Sequence, residues 1–287
     1  MHIDVNGTRL WFDVDGQALV PDGSDLRQRP TVVLVHGGPG VYDHSYFKPD
    51  FARLAGHAQV VYLDLRGHGR SAWGEADSWS FEACADDVRA FCDALGIASP
   101  IVFGHSMGGP IALLYGARHP GHAAGLIIQS GFARWDTPRM VEAFRRVAGE
   151  EVAQIAGRSY AGEEVPGEQW ARVFAAFGPH LPDQEREAHT PQNIPLNVHG
   201  MNLIRRLDIL DQLRRVGSPV LVSVGDLDPV TPVAAAEEIV AALPDGKAQL
   251  EVIDGAGHFT WLDNQDRFWS VIIEFIDSVG APEYPRT

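Results

Sequence analysis

Apolar positions along the chain fall into two periods. The runs TVVLV (31–35), QVVYLDL (59–65), PIVFGH (100–105), AGLIIQS (124–130) and PVLVSV (219–224) are short and almost wholly apolar, and AQLEVI (248–253) follows them. Uniform apolarity over strand length predicts burial on both faces of a sheet. Between these runs the period changes to that of a helix. Phe81 to Leu95 is amphipathic, and MGGPIALLYGARHP (107–120) carries Ile111, Leu114 and Tyr115 on one face and ends before Pro120. VAAAEEIVAAL (233–243) and DRFWSVIIEFI (266–276) are helical as well. At the start, HIDVNGTRLWFDVDG predicts a β-hairpin turning at Asn6-Gly7. A polar loop is expected over QALVPDGSDLRQRP (17–30), and a short helix over YFKPDFARLA (46–55). Strands alternating with helices predict a doubly wound α/β fold with a mostly parallel sheet. Ligands in such sheets bind beyond the carboxyl ends of the strands, so the residues that follow each strand carry the chemistry.

One region breaks the alternation. From Phe132 to Leu207 no strand is predicted, only helical stretches such as TPRMVEAFRRVAGEEVAQIAG and GEQWARVFAAFG. The expected organisation is therefore an α/β core of residues 1–131 and 208–287, with a helical cap, 132–207, over the carboxyl edge. The cap holds nine basic and ten acidic residues against 14 and 28 in the core, a near-neutral lid on an acidic body.

The chain has 287 residues and a formal net charge of −15. Nucleic acid and anionic membranes need a basic surface, so neither is an expected partner. No signal peptide and no apolar run of membrane-spanning length is present, so a cytoplasmic protein is expected. Cys84 and Cys92 lie on one predicted helix, separated by a rise of about 12 Å, too far apart for a disulfide. The expected partner is a small molecule or a short peptide as substrate, with no cofactor and no metal. His180, His189 and His199 in the cap show no metal-ligand spacing and could meet substrate or solvent.

The densest chemistry is Gly104-His105-Ser106-Met107-Gly108, a G-x-S-x-G between a buried strand and a helix. A serine on that sharp turn is forced to positive φ, and a Cβ two residues either side would clash, hence the glycines. Its hydroxyl needs a base to become a nucleophile. His258, in a glycine-flanked loop after AQLEVI, can reach it. His36 and His68 are expected to be structural. The orienting acid should follow another strand, and Gly225-Asp226-Leu227-Asp228 offers Asp226 and Asp228.

The motifs HGGPG (36–40), DLRGHGRS (64–71), GHSMGG (104–109), GDLD (225–228) and GAGHF (255–259) together resemble the α/β-hydrolase superfamily from the first hairpin to the last helix. The resemblance implies the chain order Ser106, Asp228, His258 for a catalytic triad, and selects Asp228 over Asp226. HGGPG resembles the proline iminopeptidase branch. By that resemblance the backbone N–H groups of Gly38 and Met107 form the oxyanion hole. Met107 departs from the tryptophan usual in that branch, and GHSMGG resembles esterases, lactonases and C–C bond hydrolases. Iminopeptidases hold the substrate amine with cap glutamates, for which Glu163, Glu164 and Glu168 are candidates, although a solvated charge run explains them too. Trp135, Trp170 and Phe174, with Phe132 and Phe177, could line an apolar acyl pocket. The expected function is hydrolysis of a small ester, lactone or amide through an acyl-enzyme. The alternatives are an N-terminal prolyl aminopeptidase and a ligand-binding receptor on the same fold. Serine at 106 argues against the dehalogenase and epoxide hydrolase branches, which need a carboxylate there.

Overall fold

The computed structural model describes residues 1–48, 50–182 and 190–280. An eight-stranded sheet has the order β1-β2-β6-β5-β7-β8-β9-β10. Its strands are β1 (His2–Val5), β2 (Thr8–Asp15), β5 (Thr31–Val35), β6 (Gln59–Asp64), β7 (Ile101–His105), β8 (Gly125–Gln129), β9 (Val220–Gly225) and β10 (Ala248–Ile253). From β6 to β10 every pairing is parallel, whereas β1–β2 and β2–β6 are antiparallel. The first hairpin turns on Asn6 and Gly7, both at positive φ, as a two-residue turn matched to strand twist requires.

Alternate residues of the parallel strands feed two cores. Val33, Val35, Val102, Ile128 and Val222 pack against α1 (Phe81–Leu95), α2 (Gly108–Arg118) and the helix Val233–Ala242. Val32, Leu34, Phe103, Ile127 and Leu221 pack on the other face against Phe47, Phe51 and the helix Gln265–Val279. With both faces covered, the four central strands β5, β7, β8 and β9 are almost wholly apolar, their polar residues falling mainly near the carboxyl ends, as with His105, Gln129 and Ser223. Helix α1 begins at Ser80, whose side chain accepts the Ala83 N–H, and ends at Gly96 with φ 70°.

Three local expectations change. The segment 17–30 is not a loop: β3 (Leu19–Asp22) and β4 (Asp25–Gln28) form a separate two-stranded hairpin, with Gly23 at φ 63° in its turn. Only Val20 of these strands is buried, so no apolar alternation marks them. The helix around 46–55 is instead two 3₁₀ segments, His44–Phe47 and Asp50–Gly56. The long helical stretch from Thr137 breaks at Gly149, where φ is 84°, into α3 (Thr137–Ala148) and α4 (Glu150–Ala161).

Between β8 and β9 the chain also forms α5 (Gly167–Ala175) and α6 (Ile194–Ile204). This helical excursion leaves and returns through one narrow neck. Arg134 and Asp208 form a bridge, the Trp135 N–H donates to the Leu207 carbonyl at 3.1 Å, and the Ile209 N–H donates to the Ala133 carbonyl at 2.9 Å. Cys84 and Cys92 are free thiols buried in the core, and burial pushes Cys92 up to about 12 and Cys84 well above its ordinary value. Among the described residues, no helix is long and apolar enough to cross a membrane.

Candidate active site

Ser106 follows β7 at φ 54°, left-handed backbone that a non-glycine residue adopts at a cost of about 1–3 kcal/mol. The turn is held by Ser106 N–H donating to the Gln129 carbonyl at 3.0 Å and Gly109 N–H donating to the Ser106 carbonyl at 2.9 Å. A Cβ on Gly104 would lie 2.1 Å from the Gly108 carbonyl oxygen, and one on Gly108 would lie 2.2 Å from the Val35 carbonyl oxygen. Both glycines are therefore steric requirements of the turn.

Three side chains from three loops converge here. The Ser106 hydroxyl donates to His258 Nε2 at 3.0 Å, and His258 Nδ1–H donates to Asp228 Oδ2 at 2.9 Å. Asp228 is fully buried and His258 nearly so, while Ser106 is half-buried and reachable. The carboxylate is saturated: Oδ1 accepts the Val230 and Thr231 N–H groups at 2.9 and 3.0 Å, and Oδ2 accepts the Thr231 hydroxyl at 2.8 Å. Such a shell satisfies the buried carboxylate's lone pairs and aims it at the imidazole. Asp226 goes elsewhere, accepting the Ala256 N–H at 3.2 Å and so bracing the histidine's loop.

The glycine loop after β5 lies flat on this turn. A Cβ at Gly37 would sit 3.0 Å from Ser106 Cβ, and Gly38 has φ 52°. The N–H groups of Gly38 and Met107 find no acceptor among the described residues. The two neighbouring histidines are bound in place and neutral. His36 Nε2 accepts the Leu65 N–H at 3.1 Å, and His68 Nε2 accepts the Gly40 N–H at 2.8 Å. Burial pushes both below the usual imidazole range, His68 to about 3.

Aromatic rings extend outward from His258. Phe177 meets the imidazole edge-on at 5.5 Å, and beyond it stand Phe174 at 5.2 Å and Trp170 at 6.3 Å. Trp170 continues to Tyr160 at 5.9 Å, and Tyr160 to Trp135 at 5.4 Å. Phe177 thus shares the His258 imidazole with Phe259 at 5.4 Å and His105 at 4.9 Å, while Trp170 and Phe174 stand behind Phe177 and Trp135 beyond Tyr160. Glu163, Glu164 and Glu168 are exposed. His180 donates to Asp263 and His199 to the Trp79 carbonyl, while His189 lies outside the described residues. Asp43, His44 and Asp64 bring three ligand-type atoms within 4.8 Å of one another. Those atoms are already engaged: His44 Nδ1–H donates to Asp64 at 2.7 Å, and Asp43 accepts the Ser45 N–H at 2.7 Å.

Sequence reasoning passed over Thr231, whose hydroxyl and amide both serve Asp228. Its position three residues after the aspartate is the signal that could have found it, since a short turn returns that amide to the carboxylate. Tyr46 and Tyr160 carry no local signal.

Known proteins share this arrangement of elements. A proline iminopeptidase of Thermoplasma volcanium is 26% identical over 271 residues, covering 87% of this chain and 90% of its own. A solved proline iminopeptidase of Mycobacterium smegmatis superposes with a TM-score of 0.76 at 24% identity, covering 97% of this chain and 98% of that one. A thermophilic esterase from Thermogutta terrifontis gives 0.71 at 26% identity, covering 98% of this chain and 100% of that one. The model of the α/β-hydrolase fold family matches residues 30–265. With that match over most of its length and the parallel sheet just described, the chain belongs to the α/β-hydrolase fold family.

Proposed function

We propose that the protein is a serine hydrolase that works through an acyl-enzyme. The observation that carries this reading is the continuous path from Ser106 Oγ through His258 to Asp228, at 3.0 and 2.9 Å, with the serine at positive φ. In the reaction, Oγ attacks a substrate carbonyl while its proton passes to His258 Nε2. Asp228 stays ionised and stabilises the imidazolium. The oxyanion is met by the Gly38 and Met107 N–H groups, a pair whose loss in other enzymes costs several kcal/mol. His258 returns the proton to the leaving group. Water, deprotonated by the same histidine, then releases the acid. The excursion 132–207 serves as the cap, and the two separate buried thiols suit a reducing cytoplasm.

The substrate is a small, fairly apolar ester, lactone or amide. The aromatic wall supports this, because a substrate ammonium would need a carboxylate beside it in a desolvated pocket. The three candidate glutamates are exposed instead. A second reading, an N-terminal prolyl aminopeptidase, is supported by HGGPG and by the iminopeptidase relative.

Ser106→Ala is expected to abolish turnover without altering the fold, and a fluorophosphonate should label Ser106 in the wild type. Full activity in the alanine variant rejects the mechanism. For the substrate, kcat/KM for an unactivated lactone or methyl ester should exceed that for a prolyl arylamide. A better prolyl amide, with KM raised selectively by Glu163→Gln, Glu164→Gln or Glu168→Gln, would install the second reading.

A further inference from the structure

His105 adjoins the proposed nucleophile, and its side chain is almost fully buried beside the His258 ring, centroid to centroid 4.9 Å. It is walled by Trp261, Phe259 and Tyr46, with ring centroids at 4.8, 5.5 and 5.7 Å. Both ring nitrogens are engaged. Nδ1 accepts the Tyr46 hydroxyl at 2.9 Å, and Nε2–H donates to the backbone carbonyl of His258 at 3.1 Å. The Tyr46 oxygen in turn accepts the Gly37 N–H at 2.7 Å. The donor of each bond fixes the next, so the relay has one direction: Gly37 amide, Tyr46 hydroxyl, His105 imidazole, His258 carbonyl.

This relay joins loops that the sheet keeps apart. Gly37 follows β5 and His105 ends β7, which are neighbours, but His258 follows β10, three strand steps further on. At about 4.8 Å per step, the histidine loop must reach back roughly 14 Å to meet Ser106. Gly37 is also one peptide from the proposed oxyanion donor Gly38.

We propose that Tyr46 and His105 are positioning residues that hold the general base and the oxyanion loop at a fixed separation across the nucleophile turn. This rests on the serine hydrolase reading. His105 touches no reacting atom. It acts through the His258 backbone as the Nε2–H tautomer, which the carbonyl at Nε2 and the Tyr46 hydroxyl at Nδ1 select, while burial favours the neutral ring.

The test is a double-mutant cycle on p-nitrophenyl butyrate with Tyr46→Phe, His105→Gln and both together, alongside ¹⁵N imidazole spectra of the wild type. Tyr46→Phe is nearly isosteric and removes only the hydroxyl. Glutamine at 105 can keep a donor near the His258 carbonyl while giving up the Nδ1 acceptor. Tyr46→Phe is expected to lower kcat about 10- to 100-fold with little change in KM, the scale of a small displacement of reacting groups. In the His105→Gln background it should cost clearly less, because the link to the His258 carbonyl is already cut and only the Gly37 contact is still lost. The wild-type spectrum should show His105 protonated at Nε2. Additive losses, an unchanged kcat with only a lower Tm, or an Nδ1–H tautomer would each overturn the proposal. A wild type that neither hydrolyses the ester nor takes fluorophosphonate at Ser106 would sink the hydrolase reading, and the positioning role with it.

Discussion

At Gly108 an added methyl would sit 2.2 Å from the Val35 carbonyl oxygen and 2.9 Å from that of His36. Both are backbone atoms of a central strand and its exit, so no side chain can swing aside. Gly108→Ala is expected to cost at least the usual overpacking penalty of about 1–3 kcal/mol and to lower kcat, read together by thermal melts and ester turnover. Gly121→Ala is the control for the melt, since nothing lies within 4 Å of its Cβ position, although its φ of 81° gives it some strain of its own. Equal melting shifts in the two would mean that close approach does not matter at 108. A second outcome belongs to the acid. Asp228→Asn should reduce kcat on the order of 10⁴-fold, the loss found when a triad carboxylate is neutralised. Asp226→Asn leaves that shell untouched and should cost far less. The reverse order would transfer the orienting role to Asp226.

Among the elements, the loop carrying His258 depends on the helical excursion as well as on the sheet. The His258 N–H donates to the Phe177 carbonyl at 2.6 Å. Asp263, whose side chain is buried, accepts the Gly257 N–H at 2.8 Å and the His180 N–H at 2.7 Å, pinning both segments to one carboxylate. Asp263→Ala strands the part-buried Gly257 amide at about 1–3 kcal/mol and releases the exposed His180 segment, so it should lower Tm and reduce kcat more than it raises KM. An unchanged kcat would show that the base needs no help from the excursion. The local parts of this structure were legible in the sequence. Asn6-Gly7 marked the first hairpin, Ser80 and Gly96 bracket α1, and the glycines around Ser106 encode their turn. The β3–β4 hairpin was hidden because its side chains are mostly exposed, and a strand that buries nothing leaves no periodicity. Contacts such as Tyr46 to His105, or His105 to the His258 carbonyl, join residues 59 and 153 positions apart. Packing in three dimensions selects those partners, and no spacing along the chain announces them.

For the molecule as a whole, three buried histidines set the response to acid. Burial depresses His36, His68 and His105 below the ordinary imidazole value. The unfolded chain takes up these protons near pH 6.5, where the folded protein does not. Their contribution is therefore fully present above about pH 6.5 and is lost as the pH falls toward the folded values. Each is worth up to about 1.4 kcal/mol per pH unit, so urea midpoints should fall steeply between pH 7 and pH 5. A flat midpoint over that interval would mean these histidines are charged in the folded state. A different consequence follows from the neck at Arg134 and Asp208. A segment whose two ends already touch can be excised or exchanged with little cost in loop closure, so a recipient should tolerate a foreign graft there. The anchor at Phe177 limits that freedom. A transplanted segment that brings no carbonyl to the same point would leave its host with an intact scaffold and a histidine loop short of one of its anchors.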